Sequence, residues 1–267
     1  MFRRFLNFIE RLFGGDLDES KPVQNYPDLK EKPKTWALQY QGELMPKDRD
    51  FMILDLFSYS KEQVESLKNA GVTVYAYFSL HAEDWRPDYH KFKELSLDSD
   101  LDGWRGEDVV SPKYTKELIE IMKARIDLAI KKGFQGIDPD NVDAWYYYLG
   151  GKGDKKQIFS TAAYWNEVAR YAREKGLACG LKNSAFLYGL VKPDFIMCES
   201  AYKWSEIEGY LRFNVPVFNI EYDFINAERA SKDSRIFSMR KKKKGVGSMD
   251  HREWQLSVWY EMGAEEL

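Results

Sequence analysis

The sequence predicts an α/β protein of the (β/α)8 TIM-barrel class, and three observations support this. Short runs of β-branched and aromatic residues alternate with helical patterns from residue 35 onward. Several helical patterns end in a basic turn and a glycine, after which the next strand begins at once. The length of 267 residues also suits one barrel, which typically needs about 250 residues.

The predicted strands are residues 36–40, 52–57, 72–79, 136–140, 177–182, 195–199 and 217–222, with an eighth near 245–249. The predicted helices are residues 61–70, 113–132, 158–175, 203–212 and 226–239. Gly71, Gly133 and Gly176 follow the basic last turns. Repeated strand and helix units predict parallel pairing with right-handed crossovers. Seven or eight such units favour a closed barrel over an open doubly wound sheet.

The N-terminal stretch "MFRRFLNFIERLFGG" places apolar residues on one helical face, interrupted by charged residues. This predicts an amphipathic helix that docks on the domain or rests on a membrane surface. The charged interruptions exclude a secretory signal. We therefore expect a cytoplasmic location, or a secreted one if the N-terminus is processed. Residues 14–34 have the composition of a linker. We therefore predict a helix and linker at 1–34 and a single barrel domain at 35–267.

The composition is that of a globular protein, with 44% hydrophobic, 15% aromatic and 31% charged residues. A net charge of -3 argues against a nucleic-acid partner, which usually requires a basic domain or stripe. The basic run at 240–244 is interpreted as a solvated helix end before Gly245. Cys179 and Cys198 lack CxxC spacing and lie in apolar runs, so they are expected to be buried thiols. No disulfide framework, structural zinc or other cofactor is predicted.

Carboxylates follow the same end of four predicted strands. Asp55 ends "MILDLF", Asp138 and Asp140 end "GIDPD", Glu199 ends "FIMCES", and Glu221 with Asp223 ends "FNIEYD". Because the carboxyl ends of all barrel strands meet at one face, these acids are expected to converge on one cavity. A single acid in such a place is more often a helix cap or a solvated loop residue, but four strands sharing the pattern favour a site.

Other chemistries lack their motifs. The crowded acids Asp138, Asp140 and Asp143 do not form a calcium loop, because Asp143 and Leu149 stand where glycine and glutamate are needed. There is no phosphate loop, no GxSxG elbow and no HExxH pair. Carboxylates are the only plentiful catalytic groups that remain. Paired carboxylates at a barrel mouth rich in Trp and Tyr are typical of glycoside hydrolysis.

The sequence resembles the endo-α-1,4-polygalactosaminidases of glycoside hydrolase family 114. The resemblance rests on "WALQYQG", "MILDLF", "VYAYFSLHAEDWRPDY", "GWRGEDVVSPKY", "KKGFQGIDPDNVDAW" and "FNIEYD", and it covers roughly residues 35–225. It implies a TIM barrel that hydrolyses α-1,4-linked galactosamine-containing polysaccharide. It further implies Asp140 as the nucleophile and Glu199 as the proton donor. Asp138 stays open as an alternative to Asp140, and Glu221 as an alternative to Glu199.

The residues expected to contact the polysaccharide are Asp55, Tyr77, Glu83, Trp85, Arg86, Trp104, Asp138, Asn141, Asp143, Trp145, Glu221 and Asp223. A galactosamine polymer is cationic, so the acids would attract it and hold its ammonium groups. Tyr77 and Asn141 would donate hydrogen bonds to hydroxyls, and the tryptophans would stack on sugar faces. Arg86 would contact the substrate or pair with a local acid. The alternatives to this function are a non-catalytic carbohydrate-binding barrel and a glycosidase for a different glycan.

Overall fold

The computed structural model describes residues 36–42, 44, 49–101, 104–149, 154–241 and 259–261. The predictions for the N-terminal helix, the linker and the strand near 245–249 lie outside these residues. The strands are β1 Trp36–Gln39, β2 Phe51–Asp55, β3 Thr73–Ser79, β4 Ala82–Glu83, β5 Ser96–Leu101, β6 Trp104–Val110, β7 Gly136–Asp140, β8 Ala178–Lys182, β9 Phe195–Glu199, β10 Val217–Glu221, β11 Phe237–Lys241 and β12 Trp259–Glu261.

The main sheet has the order β1-β2-β3-β7-β8-β9-β10-β11-β12. Every pairing from β1 to β11 is parallel, and β12 pairs antiparallel with β11 while also contacting β1. The sheet is strongly curled, as the approach of distant strands shows: the ring centroid of Phe218 on β10 lies 4.9 Å from that of Phe51 on β2. Trp36 of β1 lies 5.0 Å from the same Phe218 ring. This curled, mostly parallel sheet confirms the predicted TIM-barrel fold.

Helices follow most of the parallel strands. They are α1 Lys61–Asn69, α2 Thr115–Lys132, α3 Ala144–Tyr148, α4 Lys155–Glu174, α5 Ile207–Leu211 and α6 Phe224–Ser231. The helix α1 begins with a capping box formed by Ser60 and Gln63. The helix α2 ends at Gly133, whose φ of 90° suits a residue without Cβ. No helix in the described part of the chain is long and apolar enough to cross a membrane.

The predicted helix at 226–239 is wrong in its second half. The helix α6 ends at Ser231, and residues from Phe237 form β11, the eighth parallel strand. The side chain of Asp233 accepts a hydrogen bond from the Arg235 amide at 3.0 Å, a local turn that competes with helix continuation. Arg240 and Lys241 therefore lie in a strand, not in a helix end as the basic run predicted. The helix predicted at 203–212 is also shorter, because α5 begins at Ile207.

Two segments between the predicted strands and helices contain regular structure. The excursion after β3 forms an antiparallel sheet of order β4-β6-β5, and the segment after β7 contains α3. The excursion is anchored to the barrel by His81, whose Nδ1 accepts a hydrogen bond from the Val110 amide at 3.1 Å. Burial lowers the pKa of His81 to about 3, so its ring stays neutral. The small sheet is thereby held against the carboxyl ends of β2 and β3.

Two glycines make room for aromatic rings inside the barrel. Gly136 of β7 is paired with Tyr75 of β3, and Gly180 of β8 is paired with Phe195 of β9. A Cβ on Gly136 would lie 2.7 Å from the Tyr75 ring, and a Cβ on Gly180 would overlap the Phe195 ring. The large ring on one strand therefore fills the space left by its neighbour, as close packing of an interior requires.

Candidate active site

The inner face of the barrel can be followed along each strand by alternation. The inner hydrophobic cluster includes Tyr75 and Tyr77 on β3, Ala178 on β8, Phe195 and Met197 on β9, and Phe218 and Ile220 on β10. Since alternate residues of a strand share a face, the residues that end this series point into the barrel mouth. These residues are Asp55, Ser79, Asp140, Lys182, Glu199 and Tyr222. The predicted pair Asp140 and Glu199 therefore lies on the inner face, at the ends of β7 and β9.

Asp140 is held by three donors. Its Oδ2 accepts hydrogen bonds from the Tyr77 hydroxyl at 2.9 Å and from Lys182 Nζ at 3.0 Å. Its Oδ1 accepts one from the Asn141 amide at 2.8 Å. The side chain remains 19% exposed. Such a carboxylate is oriented by its neighbours and still reaches the cleft.

Glu199 lies across Lys182 from Asp140. Its Oε1 is 3.5 Å from Lys182 Nζ, and its side chain is 28% exposed. Tyr222 also forms a side-chain hydrogen bond with Glu199, and burial followed by the Glu199 charge raises the pKa of that phenol well above its usual value. The Tyr222 phenol therefore stays protonated and acts as a donor. One carboxyl group thus approaches the mouth from each side of β8.

Lys182 and two tyrosines were missed by the sequence analysis. Lys182 is fully buried at the end of β8, and its Nζ also contacts the Tyr40 hydroxyl at 3.1 Å. Tyr40 stacks on Tyr77 with a centroid distance of 3.9 Å, and Tyr222 contacts Glu199. None of the three is an acid, so the pattern of carboxylates at strand ends does not indicate them. The alternation of Ala178, Gly180 and Lys182 along "ACGLK" is the signal that could have found the lysine.

Asp138 is a buried companion of the site, one inward-facing position before Asp140. It has no exposed surface, and neither of its carboxylate oxygens has a hydrogen-bond partner among the described residues. Burial is the main cause that raises its pKa to about 7, with Asp140 and Glu199 adding to the shift and Lys182 opposing it. Asp138 differs from Asp140 in its exposure, because the Asp140 side chain is partly exposed.

Left-handed backbone residues follow directly after Asp140, Lys182 and Glu199. Asn141 has φ 58°, Asn183 has φ 49° and Ser200 has φ 56°. The turn residues are bonded to the site: Asn183 Oδ1 accepts from the Glu199 amide at 2.8 Å, and Asn141 Nδ2 donates to Glu107 Oε2 at 3.1 Å. Asn tolerates this conformation better than most residues. The strand ends are therefore fixed by local turns as well as by the sheet.

Asp55 does not open into the cleft as a free carboxylate. Its Oδ2 is 2.6 Å from Arg86 Nη1, and Arg86 also binds Glu83 through two hydrogen bonds of 2.9 Å. All three side chains are buried. Arg86 therefore pairs with local acids, which was one of its two predicted roles. Trp85 lies under the guanidinium, 5.8 Å from ring centroid to Arg86 Cζ, and is half-buried.

Glu107 is an acid that the sequence analysis did not select. It lies on β6 opposite Glu83 of β4, and Asn141 donates to it. Burial raises the pKa of Glu107 well above its usual value, with the charges of Glu83 and Asp140 as further causes. The quoted motif "GWRGEDVVSPKY" contains this residue, but only the pairing of β4 with β6 brings it beside Asp140.

Glu221 lies on the other face of β10. Its Oε1 accepts from the Tyr202 amide at 2.8 Å and from Asn219 Nδ2 at 3.1 Å. Asn219 contacts the outward-facing Cys198, so Glu221 points toward the surrounding layer, away from Glu199. Asp223 caps α6 by accepting from the Asn226 amide at 2.9 Å.

The remaining predicted contacts lie in different surroundings. Asp143 is half-buried at the start of α3, and Trp104 is half-buried at the start of β6. Trp145 is only 1% exposed. Its Nε1 donates to the Val110 carbonyl at 2.6 Å and its ring stacks on Tyr164. The predicted stacking of Trp145 on a sugar is therefore wrong, because this ring belongs to the core.

No group of three or more His, Cys, Asp or Glu side chains that could hold a metal ion occurs among the residues that the structure describes. Within the same residues, Asp138, Asp140 and Glu199 lie around Lys182, and Glu107 lies beside Asp140. Asp140 and Glu199 are the partly exposed members of this group, so they are the carboxyl groups that a ligand can contact.

Comparison with known proteins identifies the family. A sequence profile of Glycoside-hydrolase family GH114 matches residues 19–265. The fold is similar to the crystal structure of Aspergillus fumigatus Ega3 in complex with galactosamine, with a TM-score of 0.72 and 26% identity over 83% of this chain and 95% of that chain. It is also similar to the glycoside hydrolase domain of PelA from Pseudomonas aeruginosa, with a TM-score of 0.60 and 17% identity over 78% and 94% of the two chains.

A curated relative, an uncharacterized protein of Thermotoga maritima, is 28% identical over 124 residues, which are 44% of this chain and 38% of that protein. This chain therefore spans well under two thirds of that relative. The family profile, by contrast, covers nearly the whole chain, including every strand from β1 to β12. The chain belongs to Glycoside-hydrolase family GH114.

Proposed function

We propose that this protein hydrolyses an α-1,4-linked, galactosamine-containing polysaccharide, with Asp140 as the nucleophile and Glu199 as the proton donor. One observation carries the proposal: these two partly exposed carboxyl groups lie on opposite sides of one buried ammonium, Lys182. Family membership supports glycosidase chemistry. The galactosamine bound by Ega3 and the partly exposed carboxyl groups at the mouth, which can bind an ammonium group, support an amino-sugar substrate.

The separation of the two carboxyl groups is compatible with retention of configuration. Lys182 Nζ lies 3.0 Å from Asp140 Oδ2 and 3.5 Å from Glu199 Oε1. Those two oxygens are therefore no farther apart than the sum of these distances, about 6.5 Å, which is the lower limit for inverting enzymes, whereas retaining enzymes need about 5 to 5.5 Å.

The reaction then proceeds in two steps. Asp140 attacks the anomeric carbon, the glycosidic C–O bond breaks, and Glu199 gives its proton to the leaving oxygen. In the second step Glu199, now a carboxylate, takes a proton from water. The resulting hydroxide attacks the anomeric carbon and releases Asp140 as a carboxylate. Tyr77 and the Asn141 amide hold the nucleophile in place through the hydrogen bonds described above.

The test is hydrolysis of an α-1,4-galactosamine polymer, followed by reducing-end detection. We expect Asp140→Asn to abolish turnover and Glu199→Gln to lower it by about 10²- to 10⁴-fold, since a positioned acid contributes that much. Glu208→Gln is the matched control, because Glu208 pairs with Arg235 at the surface with 71% of its side chain exposed. Full activity of Asp140→Asn would contradict the assigned nucleophile.

The same assay separates the alternatives. A non-catalytic barrel would bind the polymer without releasing reducing ends. A glycosidase for a different glycan would hydrolyse another aminosugar polymer faster than this one.

The wild-type rate should fall as salt rises and as the polymer is N-acetylated, because both changes weaken the attraction between the ammonium groups of the polymer and the carboxylates at the mouth.

A further inference from the structure

Lys182 is the cation at the centre of the candidate site. It is fully buried, and it ends β8 between the two strands that carry Asp140 and Glu199. The charged and titratable groups that face it are Tyr40 after β1, Tyr77 on β3, Asp138 and Asp140 on β7, Glu199 on β9 and Tyr222 after β10. Burial alone would lower the pKa of Lys182, but the neighbours, led by Asp140, raise it well above its usual value. The side chain therefore stays an ammonium.

The Lys182 ammonium contacts both carboxyl groups of the proposed reaction and two tyrosines. Its Nζ lies 3.0 Å from Asp140 Oδ2, 3.5 Å from Glu199 Oε1 and 3.1 Å from the Tyr40 hydroxyl. It also lies 4.8 Å from the centroid of the Tyr77 ring. Buried ion pairs are often no more stabilising than an apolar side chain of similar volume. Stability alone thus gives little reason for an ammonium at this position.

We propose that Lys182 is a positioning residue whose ammonium neutralises each carboxylate in turn: Asp140 in the free enzyme and Glu199 in the covalent intermediate. The inference rests on the proposed function. When Asp140 attacks, its negative charge is lost as the C–O bond forms. At the same time Glu199 gives up its proton and becomes negative. The charge beside Lys182 therefore moves from one partner to the other while the total charge of the site stays constant.

The second step reverses this exchange. Water loses a proton to Glu199, and Asp140 leaves the anomeric carbon with its electron pair. Because the ammonium lies within 3.5 Å of both carboxyl groups at the start, it needs no large movement to follow the charge. A fixed cation of this kind costs little reorganisation during the reaction, which is the condition for strong electrostatic stabilisation.

The experiment compares Lys182→Met, Lys182→Gln and Lys182→Arg with the wild type. Lys132→Met is the matched control, because Lys132 donates to the carbonyls of Leu56, Phe57 and Tyr59 and binds no carboxylate among the described residues. Circular dichroism and thermal melting establish folding for each variant. The activity readout is kcat/KM against pH, and the second readout is the titration of the Asp140 and Glu199 carboxyl carbons by NMR, which needs no substrate.

We expect the two neutral variants to lose on the order of 10²-fold in kcat, the usual effect of removing one stabilising donor. Their acidic limb should move to higher pH, and the carboxyl carbons should titrate at higher pH. Lys182→Arg should keep the wild-type limb, and Lys132→Met should change neither readout. If one neutral variant fails to fold, the other decides.

Two results would overturn the inference in distinguishable ways. An active wild type whose neutral variants keep the wild-type pH profile and carboxyl titration would show that Lys182 has only a packing role. A wild type that hydrolyses neither the polymer nor an activated aryl α-galactosaminide would overturn the proposed function, and the role of Lys182 with it.

Discussion

Asp138→Asn is expected to change the pH dependence of folding in a defined direction. The folded protein holds Asp138 with no exposed surface, no hydrogen-bond partner among the described residues and a pKa of about 7. In the unfolded chain the same carboxyl has an ordinary value near 3.8. Between these values the folded state holds one more proton than the unfolded state. Raising the pH through this window therefore lowers the free energy of unfolding.

The size of the effect follows from the two values. A shift from 3.8 to about 7 corresponds to roughly 4 kcal/mol at high pH, at about 1.4 kcal/mol for each unit. Most of this penalty develops between about pH 5 and about pH 8, where linkage gives roughly 2.5 kcal/mol. Asn carries no charge at any pH, so the variant avoids this part of the loss. We expect Asp138→Asn to gain roughly 2.5 kcal/mol relative to the wild type over that interval.

Urea unfolding followed by circular dichroism measures this difference. Wild type and variant are unfolded at about pH 5 and at about pH 8, and the change between the two pH values is compared. Other titrating groups, including His81 and Glu107, are present in both proteins and largely cancel. Comparing each protein with itself at two pH values also removes any pH-independent cost of burying the amide of the Asp138→Asn variant. A difference below about 0.5 kcal/mol would refute the assignment of a protonated, buried Asp138.

Two further changes test the packing and the buried charges. Gly136→Ala should cost about 1 to 3 kcal/mol, because its Cβ would meet the Tyr75 ring at 2.7 Å; an unchanged urea midpoint would contradict this fit. Arg86→Met should cost about 3 to 5 kcal/mol, because Asp55 would stay buried without its cation and Glu83 would keep only Arg125, at 3.8 Å. Thermal melting measures the second change, and a loss below about 1 kcal/mol, the value of a surface pair, would show that those acids find other partners.

The placement of Asp140 and Glu199 at one end of the barrel could be predicted from the sequence because the relevant signal is local. Asp140 and Glu199 each end a short apolar run, and parallel strands place such ends on one face. The same reasoning was wrong for Glu221, which it placed in the shared cavity. In β10 the residues Phe218 and Ile220 face inward, so the next residue must face outward, and proximity to the strand end was not enough. Strict alternation along each strand would have separated these cases.

Other features depend on contacts that a single sequence does not reveal. Glu107 joins the site only because β6 folds back on β4, which brings together residues from a long excursion. Trp145 follows the acidic tract closely, yet its indole nitrogen finds the Val110 carbonyl and the ring is buried. Lys182 is not an acid, so the pattern of carboxylates at strand ends does not indicate it. Its role becomes visible only when the contacts of Asp140 and Glu199 are known.

The left-handed turns after β7, β8 and β9 restrict which residues can follow the strand ends of the candidate site. At Asn141, Asn183 and Ser200 a β-branched side chain would oppose the backbone conformation, whatever its effect on the sugar. Random libraries at these positions should therefore be dominated by glycine, asparagine and aspartate. The residues that follow the strand ends of the candidate site are thus constrained by backbone conformation as well as by any contact with a ligand.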